Sequence, residues 1–226
     1  MNDYLNIVYD EKLRPYTDYP AKLTQFLFEK FNMQAGQILL EPGCGRGEVL
    51  RCFKDLGMSV KGCDISLETA VLLQDLEIEI CDLEDSGLPY LDNSIDVIYT
   101  KSFLEHFYYP ERLLKEALRV LKPGGLIVNM VPDWESNYRK YYDDYTHRTP
   151  FTSISLRHIH LIHGFEHVTV EKFRQLPFLF HSPFLNSLCS LIAPFVPLRA
   201  KGKIRWVREL MLIGAGRKPL KQVGTV

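Results

Sequence analysis

The sequence predicts an α/β protein built on a doubly wound parallel sheet, and three observations carry that expectation. Short apolar runs alternate with amphipathic stretches of about ten residues, all the way from Ile38 to Val131. Several of these runs close on an acidic or turn-forming residue, as a buried strand does when it leaves a sheet. The run from Ile95 to Thr100 is apolar enough to be covered on both faces.

Taken in order, Ile38-Leu39-Leu40 reads as the first strand, ending at Glu41-Pro42-Gly43, and Val49 to Leu56 reads as a helix. Val60 to Ile65 is the second strand, Leu67 to Leu76 a helix and Ile78 to Cys81 the third strand. Ile95 to Thr100 is the fourth. Glu111 to Leu121 places Leu113, Leu114, Ala117, Leu118 and Leu121 on one helical stripe. Lys122-Pro123-Gly124-Gly125 reads as a helix-ending turn before a fifth strand over Leu126 to Val131. Residues 133–150 are polar and aromatic without a period, which fits an insertion or lid. Ser155 to His163 reads as a helix ended by Gly164, Glu166 to Phe173 as a strand and Leu210 to Ala215 as the last strand.

With 226 residues, 46% hydrophobic and 24% charged, the chain fits a single large domain with a full core. Its parts are a cap region with a helix at 1–35, a core at 36–132, an insertion at 133–154 and a C-terminal part at 155–226. The 27 basic and 28 acidic residues exclude a strongly basic nucleic-acid binder, and 12% aromatic content excludes intrinsic disorder. Five cysteines, an odd number without a C-x-x-C pair, suggest neither a disulfide framework nor a zinc knuckle. The first residues lack a signal-peptide pattern. A cytosolic, reduced setting is the expectation.

The densest chemical signal is Glu41-Pro42-Gly43-Cys44-Gly45-Arg46-Gly47 between the first strand and its helix. Alternating glycines let the backbone turn sharply and approach a ligand, beyond the carboxyl end of a strand where parallel sheets bind ligands. The dinucleotide fingerprint needs a glycine where this chain has Glu48, and Glu41 would meet a pyrophosphate with the wrong charge. A nicotinamide oxidoreductase is therefore disfavoured, and a ligand bearing an ammonium and a sulfonium is favoured. Asp64, closing the second strand, suits the two hydroxyls of a ribose. Asp82 and the backbone of Leu83, at the third strand end, suit an adenine edge, whereas Glu84 and Asp85 read as solvated.

These segments resemble the class I S-adenosylmethionine-dependent methyltransferases of the small-molecule type. EPGCGRG, CDIS, CDLEDSGLPYLDNSIDVIYTKSFLEHF and PERLLKEALRVLKPGGLIV match that family's motifs in order, over roughly residues 36–132. The resemblance implies a Rossmann-like sheet of seven strands with the last antiparallel. It also implies S-adenosyl-L-methionine as cofactor and S-adenosyl-L-homocysteine as product. The cofactor-binding residues would be Glu41, Gly43, Gly45, Gly47, Asp64, Ile65, Asp82, Leu83 and Lys101. A weaker likeness, in Asp144 to Thr152 with Ser155-Leu156-Arg157 and Gly164-Phe165, is to methyltransferases of bacterial polysaccharide and sugar synthesis.

With the first three strand ends given to the cofactor, the acceptor falls to the ends of the fourth and fifth. His106 is expected there as general base, or else as a histidine satisfied by local carbonyls. Asp133 lies opposite as its catalytic partner, and Tyr138, Tyr142, His147 and Arg148 are candidates for holding the acceptor. The expected acceptor is a sugar or glycan precursor; a lipid or quinone at a membrane surface, and a non-catalytic partner subunit, are the alternatives. No nucleic-acid partner is expected. Neither is a metal, because of His158, His160 and His163 only the last two share a helix face. Residues 175–198 contain no charged side chain but four prolines, and Arg199, Lys201, Lys203, Arg205 and Arg208 follow. That order fits a peripheral membrane contact, with a lid or homodimer surface as the plainer reading.

Overall fold

The computed structural model describes residues 15–220. The first fourteen residues, which carry the leader expectation and part of the cap region, lie outside them. Seven strands form one sheet: β1 (Ile38–Pro42), β2 (Ser59–Asp64), β3 (Glu77–Ile80), β4 (Ile95–Lys101), β5 (Leu121–Pro132), β6 (Glu166–Phe173) and β7 (Met211–Arg217). Their order is β3-β2-β1-β4-β5-β7-β6. Pairs among β1 to β5 are parallel, and β7 runs antiparallel to both β5 and β6. The helices are α1 (Tyr19–Lys30), α2 (Glu48–Asp55), α3 (Leu67–Leu72), α4 (Glu111–Val120), α5 (Trp134–Asn137), α6 (Ser153–Ile162), α7 (Pro183–Ile192) and α8 (Arg205–Arg208).

Strand periodicity explains the two-sided core. Consecutive residues point to opposite faces, so Leu40, Ile98, Ile127 and Leu212 pack on one side with α4 and Leu156 of α6. Leu39, Val97, Val128 and Ile213 pack on the other with Leu23 and Leu27 of α1 and Leu50 and Phe53 of α2. The strand order turns back between β1 and β4, which opens a crevice at their carboxyl ends.

Two expected elements differ. Residues 122–125 are not a free turn: Leu121 already pairs with Ile95 and Leu126 with Val97, so the four residues bulge out of a continuing β5. Lys122 Nζ on Asp96, at 2.8 and 2.9 Å, and the exchange of backbone bonds with Lys218 hold the bulge in place. The helix expected to reach Leu76 stops at Leu72: Leu73 leaves helical geometry at φ −113° and ψ 31°, and the Leu76 N–H closes a turn on the Leu73 carbonyl at 2.8 Å.

The uncharged stretch buries apolar side chains near its ends only, and Asn186 within it accepts hydrogen bonds from the Arg174 guanidinium. Leu176, Leu179 and Val196 are buried, whereas α7 between them has no buried residue. Among the described residues, no helix is long and apolar enough to cross a membrane.

Candidate active site

The glycine loop is shaped by left-handed backbone and tied down by one carboxylate. Gly43, Gly45 and Gly47 have φ of +69°, +50° and +69°, where a side chain is strained. A Cβ on Gly43 would meet Phe103 Cδ2 at 2.3 Å, so the loop and the end of β4 are in close contact. Asp64 Oδ2 accepts the Gly45 N–H and its Oδ1 accepts the Ser66 N–H, both at 2.9 Å. The residue expected to hold the ribose thus also fixes the loop that faces it. Ile65 beside it is half exposed.

Glu41 is buried, and its Oε2 has no hydrogen-bond partner among the described residues. Burial raises its carboxyl well above the usual range, and the Lys101 ammonium opposes that shift. The third strand end is quieter: Asp82 Oδ1 accepts the Glu84 N–H at 2.9 Å, and Leu83 is buried. Glu84 is not merely solvated, since its carboxylate accepts the Tyr108 N–H at 3.1 Å.

The sequence reading assigns the end of β4 and the insertion to one acceptor site, and the fold joins them through backbone bonds. The Arg148 and Thr149 N–H groups donate to the Glu105 carbonyl at 2.8 and 3.0 Å, which clamps the insertion onto the turn after β4. One ligand atom from each of Glu105, His106 and His147 then lies within 4.8 Å of the others. Glu105 is fully buried, neither of its carboxyl oxygens has a hydrogen-bond partner among the described residues, and burial pushes its pKa up to about 8. Lys101 opposes this shift too, so one ammonium acts on both Glu41 and Glu105.

Hydrogen-bond directions settle the histidine tautomers. Thr146 Oγ1 lies 2.5 Å from Asp144 Oδ1 and 2.9 Å from His106 Nδ1. Although burial opposes it, the N–H and O–H of Thr146 hold the Asp144 carboxyl below its usual range. An ionised carboxylate only accepts, so the hydroxyl gives it its proton and must accept from His106 Nδ1–H. The lone pair of His106 is therefore on Nε2. Likewise His147 Nδ1 lies 2.6 Å from the Tyr141 carbonyl and donates to it, leaving the lone pair on Nε2. Burial and the neighbouring His147 lower the pKa of His106.

Other expected acceptor residues are placed differently. Asp133 is fully buried, but its charge partner is Lys172 on β6, at 3.6 Å, rather than His106. Tyr138 and Tyr142 are half exposed and ring Trp134 at 6.4 and 5.9 Å. Arg148 binds the Tyr145 carbonyl and lies 5.1 Å over the Tyr108 ring. Sequence reasoning missed Glu105, Asp144 and Thr146. Only the adjacency of an acid to His106 and the Asp-x-Thr pattern signalled them.

The fold is the one seen in solved S-adenosylmethionine-dependent methyltransferases. Residues 40–129 match the family model described as a methyltransferase domain. The chain is 33% identical over 120 residues to the methyltransferase GfsG of Streptomyces halstedii, covering 49% of this chain and 43% of that one. It is 29% identical over 125 residues to a demethylmenaquinone methyltransferase of Paenarthrobacter aurescens, covering 52% and 49%. The match thus spans about half the length of these relatives. In structure it resembles a SAM-dependent methyltransferase of Archaeoglobus fulgidus, with a TM-score of 0.66 at 20% identity over 94% of this chain and 99% of that one.

Proposed function

We propose that the chain transfers a methyl group from S-adenosylmethionine to an oxygen or nitrogen of a small polar molecule, with a sugar or glycan precursor as the leading acceptor. The residues fit the cofactor: an unpartnered buried Glu41 oxygen suits its ammonium, the left-handed glycines leave room for it, and Asp64 and Asp82 close the neighbouring strands. When bound, S-adenosylmethionine supplies an electrophilic methyl on a sulfonium.

The observation that carries the reading is the Asp144–Thr146–His106 chain, which holds the imidazole by its Nδ1–H. A hydroxyl acceptor needs such a group, because its own pKa lies far above neutrality. In the transfer, the acceptor oxygen bonds to the methyl carbon as the S–C bond breaks and its electron pair returns to sulfur. The hydroxyl proton passes to His106 Nε2. Glu105 and His147 lie beside His106, and the Phe103 ring lies against the glycine loop. Methyl-transfer assays against nucleotide sugars, phenols and lipid head groups, read by mass, test this. His106→Ala should then lower single-turnover rates by about 10²–10⁴ with cofactor affinity nearly intact.

A second acceptor class, a lipid or quinone reached from a membrane surface, is favoured by α7. Phe184, Leu191 and Phe195 are 78%, 72% and 86% exposed, and the basic residues from Arg199 to Arg208 follow with no acidic residue among them. Salt-reversible co-sedimentation with anionic liposomes would support that class, and absence of binding at low salt would remove it.

A further inference from the structure

We propose that Glu105, His106 and His147 form a binding site for one divalent transition-metal ion, which faces the acceptor. The placement of the acceptor beside it rests on the function proposed above; the binding of the ion does not.

Three independent features converge here. One ligand atom from each of the three residues lies within 4.8 Å of the others, so small side-chain adjustments would bring all three onto a single ion. Both imidazoles are fixed with Nδ1–H donated to an oxygen, Thr146 Oγ1 for His106 and the Tyr141 carbonyl for His147. That is how proteins orient a metal-binding histidine: the second nitrogen bonds a carbonyl or hydroxyl, and the first keeps its lone pair for the ion. The Glu105 carboxyl is fully buried without a hydrogen-bond partner for either oxygen among the described residues. A buried carboxyl left in that state is costly unless something pairs with it.

The donor set narrows the ion. Two imidazoles and one carboxylate suit zinc, manganese, iron or cobalt, whereas magnesium and calcium favour oxygen donors throughout. Three protein ligands leave at least one position open. Asp144 Oδ2, 3.9 Å from His147 Nε2, adds negative charge at the rim. Lys101 is the opposing charge on Glu105, and a dication must outcompete it. Binding of the ion would occupy His106 Nε2 and so replace the base role proposed above; the two roles are alternatives, and the metal titration separates them.

The test uses the whole chain, stripped with a chelator and titrated with Zn²⁺ by calorimetry and with Co²⁺ by visible absorption. One equivalent of Zn²⁺ should bind and displace Co²⁺, whose absorption should report nitrogen and oxygen ligands. His147→Ala and Glu105→Gln should each weaken binding at least tenfold while S-adenosylmethionine still binds, which verifies the fold. His158→Ala, at an exposed helix position, should leave metal binding unchanged. If Glu105→Gln fails to fold, His147→Ala decides alone. No binding of either metal, or binding indifferent to His147→Ala, overturns the site and leaves His106 as the unaided base. One bound metal without methyl transfer to any hydroxyl would instead overturn the proposed acceptor class.

Discussion

His106 and Thr146, 40 residues apart in the chain, share a hydrogen bond of 2.9 Å whose direction is set by a third residue, Asp144. The hydroxyl is thus a relay of orientation: removing it frees the imidazole to rotate and to change tautomer. Thr146→Val should lower the single-turnover rate about 10–100-fold with little change in cofactor affinity. Thr146→Ser should restore most of the rate. Equal rates in Val and Ser variants would show that the hydroxyl does not position the ring.

Asp64 has two tasks, and its loss should show in both. Asp64→Ala removes the acceptor for the Gly45 and Ser66 N–H groups and the carboxylate proposed to hold the ribose. Charge-assisted bonds are worth about 1.5–3 kcal/mol each, so calorimetry should show S-adenosylmethionine affinity falling at least tenfold. Unchanged affinity would remove β2 from the cofactor site.

Gly43→Ala should destabilise the fold and damage transfer together. The left-handed conformation costs an alanine about 1–2 kcal/mol, and the new Cβ must push the Phe103 ring aside. Thermal melting should drop by about 2–4 °C per kcal/mol. A variant with native melting temperature and native transfer rate would contradict the close packing of loop and strand.

His160 makes the fold sensitive to acid. Burial lowers its pKa to about 4, its Nδ1–H donates to the Leu156 carbonyl at 2.7 Å, and its Nε2 accepts from Asn129 at 2.9 Å. Once unfolded, the ring titrates near 6.5. The unfolded chain therefore binds the extra proton between those values, and stability falls as the pH drops from about 6.5 towards 4. The loss is on the order of 3 kcal/mol. Urea unfolding at several pH values should show this slope, and His160→Gln should flatten it.

Arg148→Ala should raise the acceptor KM more than it lowers kcat. The guanidinium braces the insertion through the Tyr145 carbonyl and the Tyr108 ring, so its loss loosens the wall of the acceptor pocket. A purely lowered kcat would assign it to the reacting atoms instead.

Strands β1 to β5 and the glycine loop were legible because each is written locally, as an apolar run and the turn that ends it. β6 was legible to the residue for the same reason. What the sequence hides is pairing. Nothing local says that β7 slips between β5 and β6, or that residues 122–125 bulge from a strand instead of ending a helix. The same limit applies to the site. Glu41, Asp64 and Asp82 could be read from their positions at strand ends. His106 and His147 could be assigned to one acceptor site, but the part played by Glu105 could not be read, since it depends on backbone bonds from Arg148 and Thr149 back to the Glu105 carbonyl. Asp133 shows the converse, as a strand-end acid whose nearest charge comes from Lys172 on β6.

Because α7 buries no side chain of its own and meets the interior through Asn186, which holds the buried Arg174, the stability of the fold places little demand on its apolar positions. Charged substitutions at Phe184 or Leu191 should be silent in any unfolding measurement. Among descendants of such a chain, folding would therefore let those positions drift freely towards polar residues. An apolar surface kept there over generations would record selection imposed from outside the molecule, by whatever it meets.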